Sequence, residues 1–211
     1  MLTAAPPRHA VAALRRFVRA QPVESCELCG TPIAADHPHV LEIANRRLLC
    51  ACRVCGDAMA MRPGEAYRLV PRTVAALPAF QISDAEWAML DLPIDMAFLL
   101  HSSPAQRPIA LYPGPTGIAE SHPSTAAWSA LAMRNPVLSE LQPDVEALLV
   151  NRIKGRRAYF RAPIDRCFHL AGLLRTRWQG WSGGDAVWQA VDDFFAVLAA
   201  EARTPERGRA A

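Results

Sequence analysis

The chain has 211 residues, 51% of them hydrophobic and 20% charged, with a formal net charge of +3. This composition builds a packed core and excludes the low-hydropathy class of disordered proteins, and the charge is too small to imply a polyanionic partner by itself. No uninterrupted apolar run reaches the roughly 18 residues of a membrane span, and arginines break the N-terminal stretch where an export signal needs its apolar run, so a cytoplasmic location is expected.

Residues 8–20, "RHAVAALRRFVRA", carry apolar residues at 11, 14 and 18 and arginines at 8, 15, 16 and 19. That spacing predicts an amphipathic basic helix within residues 1–22, ended by the Gln21–Pro22 step. Residues 23–72 then hold two Cys-x-x-Cys-Gly motifs, Cys26 with Cys29 and Cys52 with Cys55, separated by 22 residues. In a reducing compartment stable disulfides are rare, so paired motifs at this spacing read as a metal site. Each motif makes a tight turn that aims both sulfurs inward, and Gly30 and Gly56 are expected to supply the positive φ such turns use. Two facing turns give a tetrahedral four-sulfur site, suited to zinc or to a single rubredoxin-like iron. Zinc is the expected occupant, being the commoner ion of cytoplasmic ribbons.

Three further residues in this segment could ligate. Cys50 is a thiol that four-coordinate chemistry does not need, and it reads as a small buried side chain. His37 and His39, in "DHPHV", offer ring nitrogens, but as ligands of the same ion they would have to displace a cysteine. Between the motifs, "HVLEIANRRLLCACRVC" predicts a short hairpin, and "AYRLVPR" at 66–72 predicts a strand.

From residue 80 to 202 the pattern predicts an α+β domain. "SDAEWAML" has Ser83 and Glu86 at capping-box spacing and predicts a short helix. "IDMAFLLHSS" and "RPIALYPG" predict a hairpin, "PSTAAWSALAMR" a helix stopped before Pro136, and "VEALLVNRIKGRRAYFRAPI" a hairpin turning at Lys154–Gly155. Two helices follow, the last with apolar residues at 187, 188, 191, 194, 195 and 198 and with Ser182 at its N-cap. Residues 203–211 are expected to be a disordered tail. The fold class predicted is α+β: a small rubredoxin- or zinc-ribbon-like metal module, followed by an antiparallel sheet with packed helices.

No catalytic constellation is recognisable. His101, Ser102 and Ser103 lack a nucleophile-elbow glycine pattern, as do Glu120, Ser121 and His122. Cys167 and His169, two apart on a helix, face different directions. The stretch 113–122, with Pro113, Gly114, Pro115 and Gly117, reads as a shaped loop of the sort that carries binding. Residues 146–178 hold eight basic residues against Glu146 and Asp165, which opens a nucleic-acid-binding zinc-ribbon reading. Asp84, Glu86, Asp91 and Asp95 lie in a segment without a base, and such a dipolar charge arrangement suits a protein partner at least as well.

Taken together, "CELCG", "CACRVCG", "YRLVP", "YPGPTGIAES", "NPVLSELQPDVEALLVNRI" and "PIDRCFHLAGLLRTRWQGWSGGDAVWQAVDDFF" resemble an uncharacterised bacterial family. Its genes are commonly found beside those for uptake-type nickel–iron hydrogenases and their maturation factors. The resemblance covers about residues 10–200. It implies a non-catalytic accessory or assembly role with hydrogenase subunits or maturation factors as partners, and it carries over no site residues. A rubredoxin-like electron-transfer protein is the alternative if the ion is iron.

Overall fold

The computed structural model describes residues 24–61, 66–114, 116–180 and 183–203. The expected N-terminal basic helix, the N-cap at Ser182 and the tail beyond Arg203 lie outside the described residues.

Strands β1 (His39–Glu42) and β2 (Arg47–Cys50) form the predicted hairpin, and β3 (Tyr67–Leu69) adds to β1, giving a three-stranded sheet of order β2-β1-β3. Helix α1 (Arg53–Met61) follows β2 directly. The pleat divides this sheet between two cores. Val40, Leu49 and Leu69 face a small cluster with Cys26 and Ala51, while Leu41, Leu48 and Val70 face the main core of the chain.

The main body is a six-stranded antiparallel sheet of order β4-β9-β8-β5-β6-β7. Its strands are β4 (Ala75–Ala76), β5 (Met96–Ser102), β6 (Arg107–Gly114), β7 (Gly117–Ser121), β8 (Glu146–Asn151) and β9 (Ala158–Pro163). Both faces are buried, which explains the near-continuous apolar runs "MAFLL" and "EALLV". Met96, Phe98, Leu100, Ala147 and Leu149 pack on one side against helices α5 (Ile164–Arg177) and α6 (Asp185–Arg203). Ala97, Leu99, Leu148 and Val150 pack on the other, under α2 (Asp84–Ala88), α3 (Thr125–Arg134) and α4 (Val137–Glu140).

Local chemistry sets the boundaries. Ser83 and Glu86 complete a reciprocal capping box on α2. Ser124 caps α3 by accepting from the Ala127 N–H at 3.1 Å. Lys154 (φ 55°) and Gly155 (φ 76°) take the left-handed turn between β8 and β9.

One reading is corrected. The stretch 113–122 is not an irregular loop. Pro113 and Gly114 end β6, Gly117 begins β7, and Pro113 pairs with Ile118 across the hairpin. Proline is tolerated there because β6 already pairs with β5 through Leu111, before the proline is reached. Part of the opposed charge of 83–95 and 146–178 is joined in ion pairs. Asp84 pairs with Arg152 and Arg157, while Arg156, Arg161 and Arg166 pair with Asp192, Glu146 and Glu201. Among the described residues no helix is long and apolar enough to cross a membrane.

Candidate metal centre

The first cysteine motif is a closed turn. The Cys26 N–H donates to the Thr31 carbonyl at 2.8 Å, the Gly30 N–H returns to the Cys26 carbonyl at 2.8 Å, and Gly30 takes the expected positive φ of 76°. The second motif is built differently. Cys52 immediately precedes α1, and Cys55 and Gly56 lie in its first turn, with the Gly56 N–H donating to the Cys52 carbonyl at 2.9 Å. Gly56 is therefore helical, against the expectation of a positive φ, and a different constraint acts on it. A Cβ there would stand 3.2 Å from Pro38 Cβ and 3.4 Å from Leu69 Cδ1, so the missing side chain lets α1 press against the sheet.

Glu27 ties the two motifs together. Its N–H donates to the Cys50 carbonyl at 2.8 Å, its carboxylate accepts from the Cys50 N–H at 2.7 Å, and Arg47 donates to the same carboxylate at 2.7 Å. The Cys50 backbone contact and Arg47 hold the Glu27 carboxyl below the usual carboxylate range against the opposing effect of burial. The first turn is thus fixed to the end of β2, two residues before the second motif.

As a result Cys26, Cys29, Cys52 and Cys55 bring their four sulfurs within 4.8 Å of one another. The Cys29 and Cys52 sulfurs are 3.7 Å apart. A tetrahedral ion with metal–sulfur bonds of about 2.3 Å has sulfur–sulfur edges of about 3.8 Å, so the donor set fits zinc-sized ions. Cys26 is 1% exposed whereas Cys29 lies at the surface, so the cluster sits at the rim of its small core rather than inside it.

The thiols compete for charge. Burial opposes ionisation of Cys26, but backbone N–H groups of Cys52, Leu28 and Cys29 outweigh it and bring its thiol down to about 6. The Thr31 side chain, 3.4 Å from the Cys29 sulfur, lowers Cys29 as well. Cys55 moves the other way, up to about 12, through its hydrogen bonds with the Cys52 and Cys29 sulfurs and its own desolvation. Four thiolates this close repel one another, and a divalent cation at their centre removes that conflict. The Cys55 N–H, 3.4 Å from the Cys52 sulfur, gives that ligand a donor of its own.

Cys50, His37 and His39 do not join this cluster. Their ligating atoms form a second group, mutually within 4.8 Å. Cys50 is half-buried, and burial pushes its thiol up.

The remaining residues named from the sequence belong to neither group. Ser103 donates its hydroxyl and its N–H to Asp144, at 2.5 and 2.8 Å. Ser102 is buried at the end of β5. His122 lies 3.5 Å from Glu120. Cys167 is fully enclosed in the main core, which drives its thiol far above the usual range, and the His169 ring stands edge-on to Phe194 at 5.8 Å. No curated protein and no solved structure matches the chain. One family model, described as "Family of unknown function (DUF5947)", matches residues 25–202, a span that contains both cysteine motifs and both sheets, and the chain belongs to that family.

Proposed function

We propose that the protein is a non-catalytic accessory protein whose residues 23–72 form a module stapled by one structural zinc ion on Cys26, Cys29, Cys52 and Cys55, seated on the α+β body of residues 80–202. The observation that carries this reading is the convergence of four sulfurs from two differently built turns, with a 3.7 Å Cys29–Cys52 edge of tetrahedral size. When bound, the ion neutralises the thiolates and cross-links the two turns. Glu27, Arg47 and Thr31 orient the ligands from outside.

An interaction role is supported by the tips of both turns. Leu28, between Cys26 and Cys29, is 37% exposed, and Val54, between Cys52 and Cys55, is 78% exposed. Aliphatic side chains held out beside a rigid centre suit an apolar patch on a protein partner. The proposed partners are nickel–iron hydrogenase subunits or maturation factors in the cytoplasm, and this part of the reading rests on the sequence resemblance alone. A rubredoxin-like iron centre, capable of passing an electron, is the second reading, favoured by the N–H donors aimed at the sulfurs of Cys26 and Cys52.

Elemental analysis of protein expressed with both metals present tests the centre. At least one zinc per chain, falling by about one equivalent in Cys26→Ser or Cys52→Ser, is expected; total metal below about 0.2 equivalents would remove a structural site. A red protein bleached by dithionite replaces zinc by iron. The partner is tested by tagged pull-down and by deletion: hydrogenase activity should fall while its transcript holds, and unchanged activity sinks the assembly role.

A further inference from the structure

The fifth cysteine has a place of its own. β1 and β2 pair His39 directly with Cys50 across the ladder, and His37 stands two residues before His39. Cross-strand partners share a face of a pleated ribbon, which sets His39 beside Cys50, and the His37 ring, just before β1, stands edge-on to the His39 ring with 4.9 Å between centroids. Their ligating atoms lie within 4.8 Å of one another, near enough for a small inward shift to reach the edges of roughly 3.3–3.6 Å that zinc–nitrogen and zinc–sulfur bonds impose.

The two rings are already oriented for ligation. His37 Nδ1 lies 2.8 Å from the Ala34 carbonyl and so carries the ring proton, which leaves Nε2 as a lone-pair donor. That Nε2 is buried and has no hydrogen-bond partner among the described residues, in a side chain only 8% exposed. A buried ring nitrogen without a partner is costly unless something occupies it. His39 Nδ1 is 2.9 Å from Asp165 Oδ2, so Asp165 accepts its proton and leaves His39 Nε2 free in turn. Histidine held by a carboxylate or carbonyl on one nitrogen, with the other nitrogen open, is the outer-shell pattern of metal-binding imidazole.

We infer that His37, His39 and Cys50 form a second metal site, separate from the four-cysteine centre, which takes one divalent cation of the zinc class. Two imidazole nitrogens and one thiolate select a borderline ion over magnesium or calcium, and binding releases the Cys50 thiol proton to solvent. Three protein ligands leave the fourth tetrahedral position to water or a small anion. A cleft of about 320 Å³, lined by His37 and His39 and by Arg72, Asp165 and Arg166, gives that position access. Asp165 lies in the first turn of α5, so its hydrogen bond to His39 ties this site to the body, whereas the four-cysteine centre joins two turns of the small sheet's own surround.

The test uses full-length protein loaded with Zn²⁺ and freed of loose metal. About two zinc ions per chain are expected, falling to about one in Cys50→Ser and in His37→Gln. Asp165→Asn should weaken the second ion by about 10–100-fold and leave the first unchanged. Wild-type zinc content in both Cys50→Ser and His37→Gln would overturn the site. Should those variants misfold, zinc-edge X-ray absorption of the wild type decides: a mixed nitrogen and sulfur shell supports the site, and a sulfur-only shell refutes it. Cys52→Ser reports on the other centre separately. Zinc lost there but not in Cys50→Ser leaves the four-cysteine centre alone, and the reverse pattern leaves the present site alone.

Discussion

The two faces of the β2-β1-β3 sheet rest on cores of very different size. One face meets Cys26, Val40, Leu49 and Ala51, four buried residues with a rim of half-buried ones that includes Cys52 and Cys55. The other delivers Leu41 and Val70 into a core that also holds Met96, Phe98, Leu149 and Phe195. A cluster that small buries too little apolar surface to offset the conformational entropy of the turns it orders, so a cross-link has to supply the difference. The main core needs no such help. One strand, β1, therefore has consecutive residues held by different kinds of chemistry.

Breaking the cross-link should separate the two sides most sharply. Chelation, or Cys52→Ser, is expected to remove a large part of the about 10–16 kcal/mol that structural zinc supplies to small metal-dependent folds. Amide exchange should rise across residues 24–38 and 51–61 while β5, β8 and β9 stay protected. Loss of protection in both regions at once would contradict the division. Leu41→Ala tests the other face of the same strand. It should cost about 2–5 kcal/mol and lower the denaturant midpoint of the whole body, because it opens a cavity in the main core.

Glycines give a smaller contrast. Gly172 in α5 has open space where a Cβ would go, so Gly172→Ala should stabilise by about 0.5–1 kcal/mol through helix propensity. Gly56→Ala carries the same helical gain but must push on the rigid Pro38 ring, and should give no net stabilisation. A rise in thermal midpoint for Gly56→Ala would show that α1 is free to shift away from the sheet.

The smallest expected effect lies in the body and depends on pH. The Ser83 N–H and hydroxyl, with Arg134, hold the Glu86 carboxyl at about 2, below its ordinary 4.5. A depressed carboxyl stabilises fully above its unfolded value, and the contribution fades as pH falls from about 4.5 towards 2. Urea midpoints of wild type and Glu86→Gln should therefore differ at pH 6 and converge near pH 2. A constant gap would mean that the capping box does not titrate as its geometry implies.

Much of the body was legible because each strand and helix carries its own period. The apolar runs at 96–100 and 147–150, the capping box at Ser83 and Glu86 and the Lys154–Gly155 turn all name their structures locally. The strand at 117–121 was hidden because prolines and glycines around its hairpin look like irregular backbone. The two cysteine motifs read as identical turns, since nothing in Cys-x-x-Cys-Gly itself says that the second opens a helix. His37, His39 and Cys50 looked like rivals for one ion because their grouping depends on ladder register, a non-local property. The pairing of His39 with Asp165, 126 residues away, had no sequence signal at all.

Among the described residues, three side chains tether the small sheet to the body: Arg46 to Glu120 at 2.5 Å, Arg68 to Asp144 at 3.1 Å and to the Pro143 carbonyl at 2.8 Å, and His39 to Asp165 at 2.9 Å. They start from the hairpin tip, the third strand and the base of the first strand, and end on β7, the loop before β8, and α5. Two points of attachment leave an object free to swing about the line between them; a third point off that line removes the swing. The small sheet is mounted this way, as a tripod head rather than a hinged flap. A partner that bound the tips at Leu28 and Val54 would therefore meet a module held to the body at three separated points.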